Sequence, residues 1–470
     1  MKLFFLAIVA VCSVISAATD IPTQVHVALA GSDSDGNSNK FAVSWNTKNQ
    51  TSSSIVKYGT STGAYTETAS GISSAYYETF NHHVVLNELT PSTTYYYTVG
   101  DDVEGWSKEF TFKSAPLSSE LRENFSFLVY GDLGVVNGDP TKDYIESVKD
   151  DIELIWHAGD ASYADDSFLH KGCVAKFCYE DTLDEYMSGI ESWASKVPYM
   201  VTPGNHEADC HDPACLTDSA RREKLSNFTA YNNRFRMPSP ESGGVLNMHY
   251  SFNYGSVHFI SIDAETGYPG AAEETRYVLP CGGFGDQLTW LENDLILANQ
   301  QRDVRPWILA AGHHPMYQGS SINTDFQAAM EDLFYKYGVD VYFSGHVHSY
   351  ERDLPVYQGV PEADYTDAVA TTHLLIGGAG NDEMHGIQLD HTNDPAPEEG
   401  PGKTKWFTSD DNGSWTVVTD KDNHVGIGKV TIVNDSTLKF EYIRTMTGDV
   451  FDGMTLTRDH SKYFTGKPKL

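Results

Sequence analysis

Six times between Phe125 and His348 the chain runs apolar and then stops on glycine or a polar cluster: "FSFLVYGD", "LIWHAGD", "PYMVTPGNHE", "VHFISID", "WILAAGHHP" and "VDVYFSGHVH". Amphipathic stretches such as "DQLTWLENDLILANQQ" and "DFQAAMEDLFYKYG" separate several of them. Runs that stay apolar, instead of alternating, predict strands covered on both faces. Alternation with helices predicts an α/β domain with a largely parallel sheet. In such a sheet the site lies beyond the carboxyl ends of the strands. Five of the six runs end on residues able to bind a cation.

The remainder of the chain frames that domain. From Ile21 to Ala115, short β-rich runs such as "VHVAL", "FAVSW", "HHVVL" and "TYYYTVG" alternate with turn residues, which predicts an antiparallel sandwich. The segment "SAPLSSELRE" carries a proline, small polar residues and no periodicity. The expected division is a sandwich over 19–115, a linker over 116–123 and a catalytic domain over 124–470. After Ala368, "HLLIGGAGND" and "VGIGKVTIVNDSTLKFEYIR" predict further strands of that domain, flanking the Pro- and Gly-rich loop "HTNDPAPEEGPGKTK".

The first 18 residues read as a cleaved signal peptide: a lysine, the apolar stretch Leu3–Ile15, then Ser16, Ala17 and Ala18. The stretch is too short to span a bilayer. A secreted, extracellular protein is therefore expected, in an oxidising route where Cys173, Cys178, Cys210, Cys215 and Cys281 can pair. Five is odd, so one thiol stays single or bridges to another molecule. Cys173 with Cys178 and Cys210 with Cys215 are local candidates, but spacing does not fix the pairing. Sequons at Asn49, Asn124, Asn227, Asn412 and Asn434 fit N-glycosylation. A formal net charge of −33 excludes nucleic acid or an anionic membrane surface as a charge-held partner. An anionic substrate would need strong local positive charge, which bound metal ions provide.

Taken in order, the strand ends offer Asp132, Asp160 and Tyr163, Asn205 and His206, His313 and His314, and His346 with His348. His346 and His348 are two residues apart, so an extended segment aims both imidazoles the same way. Carboxylate, phenolate, amide and imidazole donors together specify hard to borderline cations, not a thiolate zinc site. Seven donors (Asp132, Asp160, Tyr163, Asn205, His313, His346 and His348) exceed one four-coordinate ion. A dinuclear centre with a bridging carboxylate accounts for them, and ions about 3.5–4 Å apart recur in phosphoryl chemistry.

The set "GDLG", "GDASYAD", "GNHE", "AGHHP" and "GHVHSYER" closely resembles the purple acid phosphatases, a branch of the calcineurin-like metallophosphoesterases. The resemblance covers most of the chain. It implies a fibronectin-III-like β-sandwich followed by an α/β catalytic domain, a two-sheet sandwich flanked by helices with ligands at strand ends. It further implies that Asp132, Asp160, Tyr163 and His348 hold Fe(III), and that Asp160 bridges to a divalent zinc, iron or manganese held by Asn205, His313 and His346. The implied reaction is attack by a metal-bound hydroxide on a phosphate monoester, with His206 contacting the phosphate or protonating the leaving oxygen and Glu207 orienting a neighbour. The plant-type members carry a histidine pair after the third-strand ligand; "YQGSSINTDFQ" has none, leaving His314 or Asn323 as stand-ins. Ala310 replaces a valine common in the family. A phosphodiesterase or phytase on the same centre, and a catalytically decayed binding protein, are the alternative readings; a homodimer is left open. His82, His83, His157, His211, His249 and His258 read as structural.

Overall fold

A computed structural model of the protein describes residues 21–120, 123–167, 173, 177–271, 281–384, 413–420 and 424–462. The expected signal peptide, Asn412 and the loop around residues 391–405 lie outside these.

The N-terminal domain is a two-sheet sandwich. One sheet orders Thr23–Leu29, Phe41–Thr47, Thr79–Leu86 and Ile72–Tyr76; the other orders Glu67–Ser70, Ile55–Gly59, Thr94–Asp101 and Gly105–Trp106, with Phe110–Lys113 on the Thr94 strand. Phe41 and Phe112 stack across the two sheets with centroids 4.8 Å apart. Phe41–Thr47 is buried at every position and not in alternation. The reason is that this sheet has a second partner, the catalytic domain. From this sheet His83 Nε2 lies 3.0 Å from the Asn233 carbonyl, and from the other sheet Tyr97 donates to the Ser195 carbonyl at 2.7 Å. Arg234, fully buried, reaches Gln24 of the sandwich and Asp184 and Glu180 of the helix Tyr179–Ala194 at 2.8–2.9 Å.

The largely parallel sheet expected for the second domain is in fact two mixed sheets. The first orders Tyr199–Thr202, Ile155–Ala158, Phe125–Tyr130, Gly426–Asn434, Thr437–Arg444 and Val450–Thr457, parallel only among the first three. The second orders Tyr250–Tyr254, Val257–Ser261, Trp307–Ala311, Val341–Ser344, Thr372–Ile376, Tyr350–Asp353 and Thr416–Asp420, parallel from the second strand to the fifth. Each of the six apolar runs contributes a strand, three to each sheet. Their inner faces interlock: Phe127 meets Phe259 at 5.2 Å and Trp156 meets Phe343 at 6.1 Å. Burying each such side chain contributes about 1.5–3 kcal/mol. The two amphipathic stretches form the helices Gln287–Asn299 and Thr324–Tyr337, whose Leu291, Leu295, Phe326 and Met330 pack on Ile260, Ile308 and Tyr342 at the outer face of the second sheet. The two-sheet sandwich flanked by helices is therefore the architecture, behind an all-β N-terminal domain.

Cys173–Cys178 and Cys210–Cys215 are disulfides. Cys281 is in no disulfide; its buried thiol donates to the Ala208 carbonyl at 3.8 Å.

Candidate metal centre

Every donor named from the sequence sits just past a strand, where the chain turns sharply. Asp132, Asp160, Tyr163 and His346 all adopt a left-handed backbone, with φ of 66°, 57°, 55° and 71°. Non-glycine residues seldom do so, and each such residue costs on the order of 1–3 kcal/mol. The turn swings the side chain back over the strand end. Glycines make room for it: a Cβ on Gly345 would stand 2.3 Å from Asp132 Oδ2, and one on Gly204 would stand 2.3 Å from Asp160 Oδ1.

The side chains converge in two groups. In one, Tyr163 Oη lies 3.0 Å from Asp132 Oδ1 and 2.8 Å from His348 Nε2, and His348 Nε2 lies 3.3 Å from Asp132 Oδ1. These three atoms form a triangle with edges near those expected of neighbouring ligands, because bonds of about 2.1 Å at right angles leave donors about 3.0 Å apart. In the other, ligand atoms of Asp160, His313 and His346 lie within 4.8 Å of one another. His346 Nδ1 meets Asn205 Oδ1 at 2.8 Å. Within this second group, Asp160 Oδ2 lies 2.8 Å from His313 Nε2, while Oδ1 accepts from the His206 backbone N–H at 2.8 Å.

The His313 contact tests whether a cation fits. Its Nδ1 is 3.0 Å from the Ala158 carbonyl, so the neutral ring donates there and turns the Nε2 lone pair toward a carboxylate oxygen. His313 Nε2 is fully buried, and the polar atom it faces is Asp160 Oδ2 at 2.8 Å. Two lone pairs facing each other need a positive charge between them. In its absence, Asp160 and Asp132 outweigh burial and hold the imidazolium up to about 10. Burial, then Asp132 and Asp160, push the Tyr163 phenol well above its ordinary value. The buried carboxylate, imidazole and phenol donors fit a metal cation.

Glu207 does orient its neighbours. Its buried carboxylate accepts from the backbone N–H groups of Asp160, Ala161 and Gly204 at 2.9, 2.7 and 2.8 Å, tying two ligand loops together. His206 projects beside the centre, its ring 4.1 Å from that of Tyr163. Its Nδ1 is hydrogen-bonded to Asp165 at 2.9 Å, which leaves Nε2 directed inward, 3.9 Å from Asp160 Oδ2. Burial opposes the charge on His206, yet Asp165 and Asp160 raise its pKa well above the usual histidine range. His314 lies behind the second group: its Nε2 is 2.9 Å from Glu265, and its ring is 4.0 Å from that of His346. Asn323, the other stand-in, caps the helix Thr324–Tyr337 by accepting from the Phe326 N–H.

Residues 22–114 match the purple acid phosphatase N-terminal domain, 125–350 the calcineurin-like phosphoesterase domain, and 370–453 the iron/zinc purple acid phosphatase-like C-terminal domain. Acid phosphatase A of Cryphonectria parasitica is 32% identical over 95% of this chain and 94% of its own. The chain belongs to the purple acid phosphatase family. The probable purple acid phosphatase 20 of Arabidopsis thaliana is 34% identical over 80% of this chain and 78% of its own. The yellow lupin purple acid phosphatase PPD1 shares the fold, with a TM-score of 0.70 at 21% identity over 96% of this chain and 77% of that one.

Several residues of this phosphatase site escaped the sequence reading. Glu265 follows the one apolar run, "VHFISID", that offered no candidate; Asp263 there caps its own turn, and Glu265 two positions on reaches His314. Glu383 and Asn381 follow "HLLIGGAG", another apolar run closed by glycines. Asn381 donates to the Asp132 carbonyl at 3.2 Å, and Glu383 lies 3.8 Å from His348 and 3.9 Å from His206. His211 is no remote structural histidine: its Nδ1 is 3.1 Å from Asp165. His82, His157 and His258 keep structural roles, bonded to Thr47, Tyr199 and Asp294.

Proposed function

We propose that the protein is a secreted acid phosphatase that hydrolyses phosphate monoesters at a dinuclear Fe(III)–M(II) centre. Asp132, Asp160, Tyr163 and His348 would hold Fe(III), and Asn205, His313 and His346 a divalent zinc, iron or manganese, with Asp160 shared. The observation that carries this reading is the buried His313 nitrogen facing the Asp160 carboxylate, in contact with a second cluster that includes a phenol. When bound, the cations neutralise phosphate oxygens and activate water for attack on phosphorus.

The chain's own groups do the rest. His206, pinned at Nδ1 by Asp165, presents Nε2 to the substrate and protonates the leaving oxygen. As the P–O bond breaks, the Nε2–H bond breaks too, its electron pair stays on nitrogen, and an O–H bond forms on the leaving alcohol. His314, held by Glu265 against the His346 ring, steadies that donor. The expected domain boundaries at 115 and 124 belong to this reading, with the sandwich as a fixed support for the helix Tyr179–Ala194. Secretion is supported by the leading apolar segment, by the two disulfides, and by the exposed sequon asparagines Asn49, Asn124 and Asn227. Among the described residues no helix is long and apolar enough to cross a membrane.

The visible spectrum of the concentrated protein tests the centre. A broad phenolate-to-iron band that vanishes in Tyr163→Phe supports it; a metal-loaded but colourless protein removes Fe(III) from the assignment.

A further inference from the structure

Asp165 is wholly buried, and its two oxygens face two different imidazoles. Oδ1 accepts from His206 Nδ1 at 2.9 Å. Oδ2 lies 3.1 Å from Nδ1 of His211. The far nitrogen of His211, Nε2, lies 2.7 Å from Oδ1 of Asp209, which is itself 1% exposed. The order His206, Asp165, His211, Asp209 thus runs outward from the centre, alternating ring and carboxylate. A second carboxylate, Asp166, stands 3.8 Å from His206 and 4.0 Å from His211.

The chain around His211 is fixed independently of these contacts. Cys210 is bridged to Cys215, and its N–H donates to the Leu225 carbonyl at 3.0 Å. Asp212 caps the short helix Pro213–Thr217, accepting from Ala214 at 2.7 Å. His211 is therefore delivered by a rigid loop to a carboxylate that a catalytic ring also uses. A carboxylate held at one oxygen can pivot about its Cβ–Cγ bond; here a pivot would also pull Oδ2 away from the His211 ring 3.1 Å off.

We propose that His211 is a positioning residue for leaving-group protonation, fixing the Asp165 carboxylate and through it the direction of His206 Nε2. The inference rests on the phosphatase reading and extends it to a residue outside the ligand set. Outer-shell partners that orient a metal-bound histidine matter by about 10–100-fold, which sets the scale for a ring oriented through Asp165. The effect falls on one step only. It weighs heavily on alkyl esters, whose leaving alkoxide needs a proton, and little on esters of acidic phenols, whose anions leave unaided.

The test is steady-state hydrolysis of glycerol 2-phosphate and 2,4-dinitrophenyl phosphate by the wild type, His211→Ala and His211→Asn. Circular dichroism and metal content are measured on each. His211→Ala is expected to lower kcat on the alkyl ester at least about tenfold with KM little changed, and to alter the dinitrophenyl ester less than about twofold. Asn, whose amide nitrogen replaces the Nδ1 donor, should recover most of the loss. Equal losses on both esters, or none on either, would overturn the proposal while leaving the phosphatase reading intact. A wild type that cleaves neither ester would overturn both.

Discussion

Gly204 separates the strand Tyr199–Thr202 from the donor Asn205, and its backbone is an ordinary extended one, with φ −126° and ψ 178°. Alanine can adopt those angles without strain. Any cost of Gly204→Ala therefore comes from what the new methyl meets, which is Asp160: Oδ1 at 2.3 Å, backbone N at 2.5 Å and Cγ at 3.0 Å. None of these atoms is free to move, since Oδ1 holds the His206 N–H and the Asp160 N–H is held by Glu207. Opening the Oδ1 contact from 2.3 to the 3.4 Å at which ordinary contacts begin displaces the carboxylate by about 1 Å. Metal sites tolerate ligand shifts of about 0.2 Å, and a misplacement of about 1 Å can cost about a hundredfold in rate. The expected result is a folded protein, destabilised by about 1–3 kcal/mol from overpacking, with reduced metal per chain and a kcat down about a hundredfold. Elemental analysis, monoester turnover and urea unfolding read the three quantities. Full metal content and full turnover in a folded variant would refute the assignment of Asp160 as a ligand held by close backbone approach.

Three further outcomes follow from other parts of the fold. Gly189→Ala lies in the exposed interior of the helix Tyr179–Ala194, where the nearest neighbour of a Cβ is Lys142 Cδ at 3.9 Å, so it should stabilise by about 0.5–1 kcal/mol in urea unfolding without touching activity. Arg234→Met leaves the Glu180 and Asp184 carboxylates without their cation and should destabilise by about 3–5 kcal/mol, seen as a lowered urea midpoint; Glu180→Gln in the same chain should return part of that loss. Asp340 is fully buried between Arg458, His460 and Arg302, whose charges outweigh the burial cost and lower its pKa from 3.8 to about 2. A depressed folded pKa gives stability that is complete above pH 4 and lost as pH falls toward 2, worth about 2 kcal/mol. The stability advantage of the wild type over Asp340→Asn should therefore shrink across that window; an advantage independent of pH there would contradict it.

How much of this was legible in the chain differs from residue to residue. Asp132, Asp160 and His313 could be found because an apolar run, a glycine and a donor are neighbours in sequence, and the packing that buries the run also places the donor at its end. Asn205, His346 and His348 follow the same rule. Asp165 was visible only as the last letter of "GDASYAD", His211 read only as a structural histidine, and Glu265 was not visible at all. Their roles depend on approaches between segments 46 to 49 positions apart, to Asp165 and His314.

What the sequence determined by itself was local: which runs are strands, where each stops, which helices are amphipathic, and which side chains stand at the stops. Burial and periodicity act over a few residues, so a few residues report them. Tertiary structure alone decided that the six runs divide three and three between two mixed sheets, because each run is equally apolar and each would fit either sheet. It also decided that the N-terminal sandwich is buried against the catalytic domain through Arg234. It brought His211 to the carboxylate that holds His206, because only chain folding over tens of residues sets which polar groups share a buried partner.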